Sequence, residues 1–161
     1  MASYVGSVDQ RHLVTIGSEG FGKDYPYDQG LVGLPGADFD TLCRIPAITL
    51  CSSHLYPIYL RDPGSSQDLG AIIQDWRDAA EKLDKPLFLE EVGYAYRDAG
   101  SFDVRQAFYD NIARAINNSD VDGGLLWNVG ETVDDTFTLQ YGDPDSDRSL
   151  SAWGTLIDKT K

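Results

Sequence analysis

The chain has 161 residues, 42% hydrophobic and 24% charged. That composition is close to globular averages, and the length suits one domain with a sizeable core while falling short of the roughly 250 residues of a complete (β/α)8 barrel. Its 26 carboxylates against 13 lysines and arginines give a formal net charge of −13, which argues against a nucleic-acid partner, because phosphate binding needs clustered basic side chains, and favours a neutral ligand.

No apolar run approaches the roughly 18 residues of a membrane span, so no membrane partner is expected. The opening Met1-Ala2-Ser3-Tyr4 shows no charged stretch leading into an apolar one, so no signal peptide is read there. In chain order, the first apolar run, His12-Leu13-Val14-Thr15-Ile16-Gly17, reads as a strand, followed by a long loop over 18–36 and a short helix from Ala37 to Arg44. Cys43 and Cys51, two cysteines without metal spacing and too few for a disulfide scaffold, are expected as buried thiols.

A second strand covers 47–52, and after a loop over 56–66 the run from Gln67 to Leu83 places Leu69, Ile72, Ile73, Trp76, Ala79, Ala80 and Leu83 at helical spacing. A third strand, 86–90, leads through a loop over 94–101 into a helix from Phe102 to Asn117, with Val104, Phe108, Ile112, Ala115 and Ile116 on one face. The last unit is a strand over 123–127, a loop over 129–149 and a helix from Leu150 to Asp158.

The strands are almost continuously apolar, as expected of parallel strands buried on both faces. The order is therefore α/β, four βα units in a single domain over 1–161. The long loops all follow strands, so they gather on the face where such folds build their sites.

Three strand ends carry chemistry. The strand Pro86-Leu87-Phe88-Leu89 runs into Glu90-Glu91-Val92-Gly93, and strand alternation predicts that only one of the two glutamates points into the mouth of the sheet. In Ser53-His54-Leu55-Tyr56-Pro57, His54 and Tyr56 are two apart and so share a face, from which they can orient a carboxylate and a sugar hydroxyl. Gly124-Leu125-Leu126-Trp127 ends in an indole that offers a flat wall for a sugar ring. Trp76 and Trp153, on helical patterns, are expected in the core.

These motifs, together with Arg11 to Phe21, resemble in their order the fifth to eighth strands of clan A, family 5 glycoside hydrolases, especially the endo-β-1,4-mannanases. The resemblance implies half of a TIM (β/α)8 barrel and a retaining hydrolase of β-mannan or a related β-glycan, extracellular by analogy and needing no metal or organic cofactor. It implies a nucleophile at Glu91, with Tyr56 hydrogen-bonded to it, His54 beside it, and Trp127 as a sugar platform. Glu19 takes a peripheral place in the cleft. Of Glu131, Asp134 and Asp135 in the last loop, Asp135 is the best candidate for substrate contact.

Val92 stands where the family usually has an aromatic residue. The larger departure is that the Asn-Glu-Pro motif carrying the family's acid/base occurs nowhere in the 161 residues. Weak or assembly-dependent hydrolysis, a silent sugar-binding remnant, and a truncated or engineered structural half-barrel therefore all stay open. Four βα units leave two unpaired edges, so self-association into a dimer or higher oligomer is expected.

Overall fold

A computed structural model describes residues 1–20, 38–57, 66–132 and 135–157. In chain order these form α1 (Ala2–Val8), α2 (Phe39–Cys43), β1 (Cys51–Leu55), α3 (Ser66–Glu81), β2 (Leu87–Val92), α4 (Tyr96–Ala99), α5 (Phe102–Asn118), β3 (Gly123–Leu126), β4 (Val129–Gly130), β5 (Leu139–Gln140) and α6 (Pro144–Ile157). The expected loops over 18–36 and 56–66, and the chain's last residues, fall largely outside the described residues, as do Ala37, Asp134 and Asp158.

Strands β1, β2 and β3 lie side by side in that order and both pairs are parallel. Their outer face is covered by α3 and α5. Leu69, Ile72, Ile73, Trp76 and Ala80 from α3 and Phe108, Tyr109, Ile112, Ala113 and Ile116 from α5 close on Cys51, Leu55, Leu87, Leu89 and Val92. Each fully buried large side chain here contributes about 1.5–3 kcal/mol over an exposed one. Helix α5 starts where the Ser101 hydroxyl accepts the Val104 amide, a serine N-cap satisfying one of the orphan donors of the first turn. It is joined to α6 by a buried hydrogen bond from Ser149 Oγ to Gln106 Oε1 of 2.6 Å.

The two long helical patterns come out within a few residues of their expected bounds, and Trp76 and Trp153 are both buried. Other elements differ. Residues 12–17 lie beside the sheet but form no strand. Val14 accepts at its carbonyl from the Thr49 and Leu50 amides at 2.9 and 3.2 Å, while its own amide goes to Thr49 Oγ1 at 2.8 Å and the Ile16 carbonyl takes the Ser52 hydroxyl at 2.8 Å. Hydroxyl side chains thus occupy backbone groups that a ladder would have used, and β1 begins only at Cys51.

The loop expected over 129–149 contains the short parallel pair β4–β5 and the first turn of α6, which starts at Pro144, a residue suited to the first helical position. The cysteines also differ from expectation. Cys43 and Cys51 are buried, but they are paired with one another, with a Cα–Cα distance of 5.5 Å. The approach of the α2 end to the β1 start is a tertiary fact that spacing alone does not reveal.

Candidate active site

The centre of the site is set by an irregularity in β2. On one side Ser53 pairs with Leu89 and Leu55 with Val92; on the other Leu89 pairs with Gly124 and Val92 with Leu126. Both neighbours take two steps where β2 takes three. The burial pattern follows suit: Leu87, Leu89 and Val92 are buried, whereas Phe88, Glu90 and Glu91 are partly exposed. A β-bulge therefore turns both glutamates to the open face. The expectation that alternation sends one of them away is corrected, because alternation holds only for an unbroken ladder.

Between these carboxylates sits His54, largely buried at the end of β1. Its Nδ1 is 3.3 Å from Glu19 Oε1 and 3.4 Å from Glu91 Oε2, and its Nε2 is 3.9 Å from Glu90 Oε2. Burial alone would lower the imidazole pKa, but the Glu19 hydrogen bond and the charges of Glu91, Glu19 and Glu90 outweigh it, so the value stands above the ordinary one for histidine. Tyr56, two residues on, donates its hydroxyl to the same Oε2 of Glu91. One carboxylate oxygen thus faces a phenol and an imidazole.

Glycines make room for this arrangement. A Cβ at Gly93 would lie 2.7 Å from Tyr56 Cε1 and 2.7 Å from the Trp127 carbonyl oxygen. At Gly20, with φ of +81°, a Cβ would lie 2.5 Å from that of Ser53. Gly20 offers its carbonyl to the Trp76 indole at 2.8 Å, so the turn that presents Glu19 is anchored to the core.

Trp127 follows β3, its amide bonded to the Val92 carbonyl at 2.8 Å, and the residue is 41% exposed. Phe137 packs edge-on against Tyr56 with ring centroids 5.3 Å apart. Asp135 stands elsewhere in the same loop. Its Oδ1 accepts the Phe137 and Thr138 amides at 2.7 and 3.0 Å, and its Oδ2 accepts Asn128 Nδ2 at 3.3 Å. Its carboxylate therefore braces the loop, and it lines a separate cavity of about 490 Å³ with Arg105, Gln140 and Asp143. Glu131 is exposed.

The structure thus brings Glu19, His54, Tyr56, Glu90 and Glu91 together. Sequence reading admitted only one of Glu90 and Glu91 to the mouth, and it did not single out the buried Arg105, which donates to the Phe137 carbonyl and ties the last loop to α5. An arginine in the first turns of an amphipathic helix gives no local hint of such a role. Among the described residues no group of His, Cys, Asp and Glu is arranged to hold a metal ion.

No family model matches the sequence. Among curated proteins, mannan endo-1,4-beta-mannosidase A of Podospora anserina is 30% identical over 152 residues, covering 88% of this chain and 38% of that protein. Mannan endo-1,4-beta-mannosidase 5 of Solanum lycopersicum is 32% identical over 161 residues, covering 88% and 39%. Among solved structures, the endo-1,4-beta-mannanase of Rhizomucor miehei superposes with a TM-score of 0.80 at 26% identity, over 98% of this chain and 44% of that one. The endo-beta-1,4-mannanase of Thermotoga petrophila does so at 0.79 and 25%, over 98% and 38%. The chain spans less than half the length of each of these proteins. In sequence and in fold it is a mannanase-like relative of the family 5 glycoside hydrolases, corresponding to part of their (β/α)8 barrel.

Proposed function

We propose that the chain carries the nucleophile side of a retaining glycosidase site for β-mannan or a related β-glycan, with Glu91 as the attacking carboxylate. The observation that carries this reading is the convergence of Tyr56 and His54 on Oε2 of Glu91 near the end of β2. The Tyr56 hydrogen bond and the imidazole beside it fix the rotamer of this carboxylate, which a nucleophile needs. Trp127 supplies the flat wall for the sugar.

Retaining hydrolysis also needs a second carboxyl about 5–5.5 Å from the first to protonate the leaving oxygen. The family resemblance implies an Asn-Glu-Pro motif for that group, and these 161 residues do not contain it. The proton donor for natural glycans therefore comes from outside them, and the chain alone turns over weakly or not at all. Association with a second copy would cover the side of β3 that is unpaired among the described residues, where Leu125 and Val129 are exposed, and the flank at Leu13 and Ile16.

A second reading is supported by that same absent motif beside a half-exposed Trp127: a sugar-binding module without turnover. A 2-deoxy-2-fluoro-β-mannosyl fluoride separates the two. Its fluoride leaves unaided, so the Glu91 oxygen can bond to the anomeric carbon and stay there. Mass spectrometry should find one added sugar on the peptide containing Glu91 and none in Glu91→Gln. Binding of manno-oligosaccharide without labelling of the parent chain would favour the second reading and remove the first.

A further inference from the structure

We infer that Glu19 and Glu90 are positioning residues that act through His54, clasping its imidazole from both ring nitrogens so that a doubly protonated ring faces Glu91. The inference deepens the reading of Glu91 as nucleophile and rests on it for its functional meaning, while its geometry stands apart from any activity.

A neutral imidazole has one N–H and one bare lone pair. Here Nδ1 faces Glu19 and Glu91, and Nε2 faces Glu90, so either neutral tautomer would turn a lone pair toward a carboxylate. Only the imidazolium offers a proton on each side. The Nε2 atom and Glu90 Oε2 are both buried, 3.9 Å apart, with no hydrogen-bond partner among the described residues, so Glu90 acts on the ring through its charge, and a Cβ at Gly17 would make ordinary contact with both, 3.8 Å from Glu90 Oε2 and 4.0 Å from His54 Nε2.

The bulge is what brings Glu90 into this role, and the turn at Gly20 brings Glu19. The titratable groups facing the imidazole are Glu19 from the segment before that turn, Glu90 and Glu91 from β2, and, through Glu91, Tyr56 beyond β1. Neither Glu19 nor Glu90 needs to touch substrate. Each holds a positive charge next to the group that attacks.

Only two histidines occur in the chain. His12 lies at the surface bonded to Asp9, so His12→Asn leaves His54 as the sole imidazole in an NMR titration. In that background His54 should titrate above pH 6.5, and Glu19→Gln should lower its midpoint by about one pH unit, the usual effect of one close carboxylate. Glu90→Gln should lower it as well, by less. The alkaline limb of Glu91 labelling by the fluoro sugar should move down with the midpoint. A parent midpoint at or below 6.5 would overturn the inference without any variant, as would midpoints unmoved in both folded variants. Because the titration needs no turnover, absence of labelling would count against the nucleophile and not against the clasp.

Discussion

Tyr56 and Glu91 are joined by a hydrogen bond from the phenol to Oε2 of the carboxylate, across two neighbouring parallel strands and 35 positions of sequence. A hydrogen bond to a charged acceptor is worth about 1.5–3 kcal/mol. Tyr56→Phe removes the donor and keeps the ring against Phe137, so the rate of Glu91 labelling should fall about 10- to 100-fold and stability by no more than about 1.5–3 kcal/mol. Stopped-flow release of fluoride measures the first and urea denaturation the second; an unchanged rate would detach Tyr56 from the chemistry.

Substrates with good leaving groups should fare far better than polysaccharide. An activated phenol departs with little need of a proton, so nitrophenyl β-mannosides should react while unmodified mannan is cleaved slowly or not at all by the chain alone. Glu91→Gln should abolish the nitrophenyl reaction, Glu90→Gln should weaken it, and chelation should leave it unchanged, since two-carboxylate chemistry calls for no metal. Brisk mannan hydrolysis by the isolated chain would show that a carboxylate within it, Glu19 for one, transfers the proton.

Stability should depend on His54. Its folded pKa is raised, so the folded state binds the proton more tightly than the unfolded chain does. The resulting stabilisation is complete below about pH 6.5 and drains away as pH rises through the folded value. Urea midpoints measured from pH 5.5 to pH 8.5 should show that decline in the parent and a flatter profile in His54→Gln.

Gly93→Ala tests the space behind the site. The added methyl would press on the Tyr56 ring and the Trp127 carbonyl at once, an overpacking that costs about 1–3 kcal/mol. The expected signature is a lower denaturation midpoint together with slower labelling, because Tyr56 is pushed off Glu91. Normal labelling at reduced stability would place the strain elsewhere.

Light scattering should find the chain larger than its 17.7 kDa at micromolar concentration, through the exposed side of β3 or the flank at Leu13 and Ile16. Leu125→Lys should shift it toward monomer. A monodisperse parent monomer would rule out self-association.

What could be read from sequence follows from how local each signal is. The apolar spacing of α3 and α5 survives because it is repeated over several turns and both helices bury that stripe. His54 and Tyr56 share a face because a two-residue spacing in a strand leaves little choice. Glu90 could not be placed, since the bulge arises from the registers of two flanking strands and no feature of Leu89-Glu90-Glu91-Val92 announces it. The segment 12–17 reads as a strand by its apolar content, yet Thr49 and Ser52, more than 30 positions away, divert its backbone bonds. The pairing of Cys43 with Cys51 likewise depends on where α2 lies against β1.

The extra residue in β2 also bears on how this strand can change. Since the ladders on both sides resume in step at Val92, removing position 90 would restore simple alternation, leaving Glu91 on the open face and Val92 in the core. A single-codon deletion is thus a smaller disturbance than its place in a central strand suggests, and gaining or losing that codon alters the charge around His54 while Glu91 stays in frame. The strand can be retuned by counting residues, with no change in which ones it keeps.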